Sequence, residues 1–277
     1  MTNFCSGTLY KEISKILQDH FINSDIDNYY QKMIDSFDVS EKAILGKLEL
    51  KDLIGISEFL LAKQHLSNLG IDLPIYFGDY TQNKNKIMIV AMDAKRSGQK
   101  EKEIVLGSVF DLHTKTGRET NANDYWDFIE PLLKDNFVYL TDIYKIYYET
   151  IIIKKGKETR IVSNKDKTYT SGEPYSHNKT IIKAEINLIK PNLIIAIGKD
   201  AADALKTIQG ISSEEVQLVK EGVEYIFMPH ISKTVTQNIP TVANLFIALG
   251  KIKKNKEFEK IGQSILEEKV NLYTKNK

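Results

Sequence analysis

Four short apolar runs constrain the fold more than any other feature of the chain: KIMIVAMD (86–93), FVYLTD (137–142), NLIIAIG (192–198) and EYIFMPH (224–230). Each ends in polar or turn residues, the pattern of a strand buried on both faces. Helical stretches alternate with them: NDYWDFIEPLL before the second, HNKTIIKAEINLIK before the third and KDAADALKTI after it. Strands separated by helical crossovers predict an α/β fold with three layers, in which helices cover both faces of a central parallel sheet of four strands. Ligands in such sheets gather beyond the carboxyl ends of the strands. Those ends read MDAKRSG, TDIYK, GKDAA and HISK, which would bring two acids, a histidine and a serine to one rim.

The flanking segments read differently. Residues 8 to 70 carry apolar positions near helical spacing, with Gly70 as a stop, so residues 1–80 are expected to form a helical N-terminal extension to an α/β domain at 81–277. The segment ETIIIKKGKETRIVSNK reads as a hairpin turning near Gly156, inside an insertion at 147–176. IPTVANLFIALGKI and KEFEKIGQSILEEKVNLY close the chain as helices.

Composition removes several function classes. No apolar run approaches the roughly 18 residues of a membrane span, and the first residues lack the basic and apolar regions of a signal peptide, so the cytoplasm is expected. A single cysteine, Cys5, excludes an intrachain disulfide and a cysteine cluster for zinc or iron and sulfur. His113 and His177 with Asp111 show no recognisable ligand spacing, so no metal and no cofactor is expected. Net charge is only +1, but Ile151 to Lys183 holds eight basic side chains against three acidic ones, which suits contact with phosphates as well as a solvated surface.

The strand, glycine and helix in IIAIGKDAADAL (194–205) invite a nucleotide reading. A dinucleotide fingerprint needs three spaced glycines, whereas Gly198 stands alone, and no P-loop pattern occurs.

Taken together, the strand ends resemble the uracil-DNA glycosylase superfamily over roughly residues 80 to 250. VAMDAKRSGQ (90–99) is similar to the family's water-activating loop, with Asp93 at the position of the aspartate. LGSVFDL (106–112) resembles the stretch whose phenylalanine stacks on the extruded base, matched by Phe110. VYLTDIYK (138–145) is similar to the second strand end, where Asp142 stands in place of the usual base-reading asparagine. MPHISKT (228–234) resembles the His-Pro-Ser motif, with His230 and Ser232 matched and Ile231 replacing the proline. Met92 and Ala94 also depart from the glutamine and proline of the first motif, and Lys95 stands where the best-known branch has a tyrosine that excludes the thymine methyl.

The resemblance implies a DNA glycosylase that hydrolyses the N-glycosidic bond of a deaminated, damaged or modified pyrimidine. Asp93 would activate water and His230 would stabilise the leaving base, with Phe110, Asp142, Met92 and Lys95 around that base. Ser232, Lys233, Arg96 and Ser97 would hold the DNA. A monomer acting on single- or double-stranded DNA is expected, with no metal. The residue types suit this chemistry: a carboxylate orients water and stabilises positive charge at the sugar, and a donor on the base carbonyl stabilises the leaving anion. The base must leave the stack to reach them. An ionised Asp142 only accepts, so it suits an exocyclic amine, as in cytosine, better than the carbonyl of uracil. Two alternatives stand beside this reading: a nucleic-acid-binding relative that has lost the chemistry, and a hydrolase or transferase acting on a free nucleoside.

Overall fold

The computed structural model describes residues 3–37, 44–94, 103–121, 123–154, 156–215 and 217–228, with isolated positions 247, 256, 259, 260 and 263. Lys95, Arg96, Ser97, His230, Ser232 and Lys233 lie outside the described residues, as do most of the two closing helices expected after residue 239.

The chain opens with helices α1 (Leu9–His20) and α2 (Ile26–Asp35), strand β1 (Gly46–Leu48), the short helix α3 (Ser57–Leu61) and strands β2 (Ser67–Leu73) and β3 (Ile75–Phe77). Strands β4 (Asn85–Asp93) and β5 (Ile104–Ser108), helix α4 (Asn123–Ile129) and strand β6 (Asn136–Tyr144) follow. A hairpin of β7 (Ile146–Lys154) and β8 (Lys157–Val162) leads to helices α5 (Lys167–Ser171) and α6 (Glu173–Ile189). Strand β9 (Leu193–Ile197), helix α7 (Lys199–Gln209) and strands β10 (Gln217–Lys220) and β11 (Val223–Met228) complete the described chain.

The fold is α/β with two mixed sheets. One has six strands in the order β10-β11-β9-β4-β6-β3, the other five in the order β1-β5-β2-β7-β8. The four strands expected from the sequence form the middle of the six-stranded sheet, which is wider and mixed rather than four-stranded. β11, β9, β4 and β6 pair in parallel, but β10 and β3 add antiparallel strands at both edges. Residues 87–91 of β4 and all of β9 are buried, which explains their unbroken apolar sequence. Helix α7 contacts β4, β6, β9 and β11, whereas β2 and the 3-10 turn Val109–Asp111 contact β6.

The reading of residues 1–80 as a helical extension is also corrected. α1 and α2 form where their apolar spacing places them, and α1 packs Leu9, Ile13 and Leu17, one stripe at i, i+4 and i+8, with contacts to α6. From residue 46 onward, however, the expected long helix is broken into β1, a 3-10 turn at Leu50–Asp52, the short α3, and β2 and β3. Gly70, expected as a helix stop, lies inside β2 between Val105 of β5 and Tyr147 of β7. Apolar spacing alone could not separate the two outcomes, because β2 is buried on both faces and shows no period of two. Strand partners far along the chain decided it.

Gly55 marks the break in the helical pattern. Its φ is +71°, and a Cβ there would sit 2.2 Å from the His177 ring on α6. Gly55→Ala is expected to lower unfolding free energy by about 1–3 kcal/mol, through backbone strain and displacement of that ring; a denaturant midpoint unchanged from wild type would refute it. His177 thus packs on the N-terminal segment.

The hairpin lies within the expected insertion but is not a surface appendage. β7 pairs with β2 as well as β8, and Ile146, Tyr147 and Tyr148 are buried. The outer end of β7, where Ile153 is exposed, is solvated together with β8 and the turn, which has Gly156 at φ +72°, and residues from Lys167 to Ser176 are largely helical.

Candidate active site

Asp93 ends β4, and Asp142 lies near the end of β6. These strands are paired in parallel with Ala91 opposite Asp142 and Asp93 opposite Tyr144. Side chains of directly paired residues share a face, and so do residues two apart on one strand. Asp93 and Asp142 therefore share one face of the sheet. One strand spacing across and two residues along separates their Cα atoms by about 8 Å.

The opposite face of β6 is occupied by α6. Thr141 and Lys145 both bond Glu185 on that helix, at 3.0 Å from the Thr141 hydroxyl and 2.8 Å from Lys145 Nζ. By alternation Asp142 points away from α6, to the side where β2 and the Val109–Asp111 turn meet β6. Asp142 is buried, and Asp93 is partly exposed.

Phe110 lies in that turn, with φ +57° and ψ +16°, followed by Asp111 at φ +57°. Two consecutive non-glycine residues in the left-handed region carry strain that surrounding contacts must hold, a state enriched at functional sites. One face of the Phe110 ring stacks on Tyr125 with centroids 3.8 Å apart and planes 20° from parallel. The turn is also anchored at its base by a buried contact between Ser108 Oγ and His113 Nδ1, 2.6 Å. His113 is thus engaged in the core.

Asp93 opens into a cleft of about 390 Å³ that it shares with the hairpin, lined by Tyr147, Glu149, Arg160, Val162 and Asn164. Ser163 Oγ donates to Asp93 Oδ2 at 3.0 Å, fixing one carboxylate oxygen. Glu149 is buried and accepts from Tyr147 Oη and Asn68 Nδ2, both at 2.7 Å, and it pairs with Arg160, whose side chain remains 63 % exposed. The cleft therefore has a basic group at its mouth and a carboxylate inside. Burial is the main cause raising the Tyr147 hydroxyl above its ordinary pKa; the Asp93 charge also raises it, while Arg160 opposes. This tyrosine accordingly stays protonated near neutrality.

Met92, next to Asp93, projects to a different cleft with Tyr144 and Tyr175. Asn164 lines this cleft and the Asp93 cleft alike, so the two adjoin. Sequence reasoning missed Ser163, Tyr147, Glu149 and Arg160. No local pattern marks them, since the fold of the hairpin back over β4 brings them to Asp93 from 54 to 70 positions away. The lone Cys5 is buried and its thiol pKa is raised by that burial, so it remains an inert thiol.

Among the described residues no group of three His, Cys, Asp or Glu side chains is placed to hold a metal ion, and no helix is long and apolar enough to cross a membrane. In comparisons with known proteins, no family model and no curated protein matches the chain.

Proposed function

We propose that the chain is a uracil-DNA glycosylase-like enzyme of three-layer α/β architecture, working in the cytoplasm, which hydrolyses the N-glycosidic bond of a modified or deaminated pyrimidine in DNA. The observation that carries this reading is the placement of Asp93 and Asp142 on one face at the carboxyl ends of paired parallel strands, with the Phe110 turn against the same side of β6. These three residues come from separate parts of the sequence, and the proposed chemistry needs them near one another.

In this reaction Asp93 accepts a proton as a water oxygen bonds to the sugar C1′, and the C1′–N1 bond breaks with its electron pair leaving on the base. His230 donates to the base carbonyl where that negative charge collects. Phe110 offers its ring to the extruded base, and Asp142 accepts from an exocyclic amine. Met92 keeps the place beside the base that the resemblance implies. Lys95, Arg96, Ser97, Ser232 and Lys233 retain the roles that the resemblance implies, on the base and the DNA backbone.

The test is base release from single- and double-stranded oligonucleotides carrying uracil, cytosine, thymine or 5-modified cytosines, followed by alkaline strand cleavage. Asp142→Asn is expected to shift the preference from amine-bearing pyrimidines toward uracil by about 1–3 kcal/mol, roughly 5- to 150-fold. Wild-type release of uracil alone would overturn the assignment of Asp142. DNA binding with no release from any substrate would favour the non-catalytic reading.

A further inference from the structure

The face of the hairpin that lines the Asp93 cleft continues past it. Tyr147 and Glu149 of β7 and Arg160 and Val162 of β8 belong to that lining. The two strands pair with Glu149 opposite Val162, Ile151 opposite Arg160 and Ile153 opposite Glu158. Directly paired residues share a face, as do residues two apart on one strand. Ile151 and Ile153 therefore extend the cleft lining outward, and Ile153 stands about 13 Å farther along β7 than Glu149, at about 3.3 Å per residue.

Two side chains of this outer half face solvent. Among the described residues only four large apolar side chains are exposed, and Ile153, at 67 %, is the one whose strand lines the Asp93 cleft. An exposed apolar side chain is ordinary by itself; its surroundings set this one apart. Arg160, opposite Ile151, is held at the mouth of the cleft by its pairing with the buried Glu149 through Nη2, yet its side chain remains mostly exposed. A guanidinium carries five N–H donors, so one carboxylate contact leaves others for a second anion. In sequence, residues 151–162 hold Lys154, Lys155, Lys157 and Arg160 against Glu158 alone, a net +3 on a chain whose total is +1.

Nucleic acid offers partners for both features side by side, phosphates for the cations and stacked bases for the isoleucine. Proteins that deform duplexes place apolar side chains between base steps in this way. Extruding a nucleotide toward Asp93 costs stacking energy, and an apolar side chain entering the stack nearby offsets part of it.

We propose that the outer half of the hairpin is a DNA-docking wedge, in which Arg160 holds a backbone phosphate at the mouth of the cleft and Ile153 enters a base step of the same duplex. The choice of partner rests on the reading of the chain as an enzyme acting on DNA.

Fluorescence anisotropy of the full chain with a labelled duplex carrying an abasic-site analogue tests the proposal, with 2-aminopurine placed in turn at the positions flanking the analogue. Ile153→Ala is expected to weaken duplex binding about 5- to 10-fold, the order for one apolar side chain returned to water. It should also remove the 2-aminopurine fluorescence rise that reports unstacking, while affinity for the single strand stays near wild type. Arg160→Gln should reduce the slope of log affinity against log salt by about 0.9, the loss of one phosphate contact, and Arg160→Lys should restore it. Lys11→Gln, at an exposed position on α1, controls for net charge and should leave the slope unchanged. Wild-type duplex affinity in Ile153→Ala, a wild-type salt slope in Arg160→Gln, equal losses on single and double strands, or binding of phosphatidylserine vesicles in place of DNA would each overturn the wedge. Base release that persists in either of the first two cases would leave the glycosylase reading standing. Hairpin-dependent binding without base release would overturn the reaction and not the wedge.

Discussion

Asp93→Asn is expected to lower the rate of base release about 1,000-fold, within the 10²–10⁴ range of a positioned general base, while leaving the fold and DNA affinity nearly unchanged. The amide has the same shape as the carboxylate and can still accept from Ser163 Oγ, which now lies 3.0 Å from Asp93 Oδ2. What it loses is the capacity to take a proton from water and to stabilise positive charge at the sugar. Single-turnover kinetics on the best substrate of the oligonucleotide panel measures the effect, and the salt dependence of binding checks that the DNA contact survives. A rate within threefold of wild type would remove Asp93 from the chemistry. Ser163→Ala should have a smaller effect of the same sign, about 10-fold or less, since it removes one charge-assisted hydrogen bond to the carboxylate and leaves the carboxylate itself.

The largest effect on stability is expected one layer below the site. Lys145 and Glu185 are 1 % and 0 % exposed and joined at 2.8 Å, with Thr141 bonded to both and the Lys145 backbone N–H donating to Asn178 Oδ1 at 2.9 Å. Glu185→Leu leaves the ammonium buried without its counter-charge and should cost about 3–5 kcal/mol in unfolding free energy. The double variant Lys145→Met, Glu185→Leu removes both charges and should recover most of that loss, because a well-packed apolar pair of similar volume replaces the ion pair. Denaturant unfolding of the two single variants and the double variant gives the coupling directly. Simple additivity, with the double variant the least stable, would show that the pair itself is not what holds α6 to β6. Its position matters for function too. Thr141 precedes Asp142, so the pair on one face of β6 fixes the strand that presents Asp142 on the other.

The parts of the fold legible in the sequence are those whose burial is local in pattern. β4, β6, β9 and β11 fall within two residues of the apolar runs that signal them, and α1, α2, α6 and α7 follow their own apolar spacing or sequence stretches. The strands at 46–77 were not legible. Their apolar residues are buried by partners as far away as Tyr147 and Glu149, and a short run buried on both faces has no period to distinguish it from a helix. For the same reason the edges of the six-stranded sheet, β3 and β10, could not be read from their few residues.

The candidate site divides in the same way. Position at a strand end drew attention to Asp93 and Asp142 as acids on one rim, whereas Phe110, one of 11 phenylalanines, was singled out only by the resemblance. Only the tertiary structure set Ser163 on Asp93, placed Glu149 and Arg160 in its cleft, and put Met92 on an adjoining one. The sequence by itself determined that the chain would form an α/β core with its acids at strand ends, since burial of continuous apolar runs leaves little choice. Which side chains face which cleft depended on strand register, a shift of one residue being enough to reverse every face, and register is fixed by partners distant in the chain.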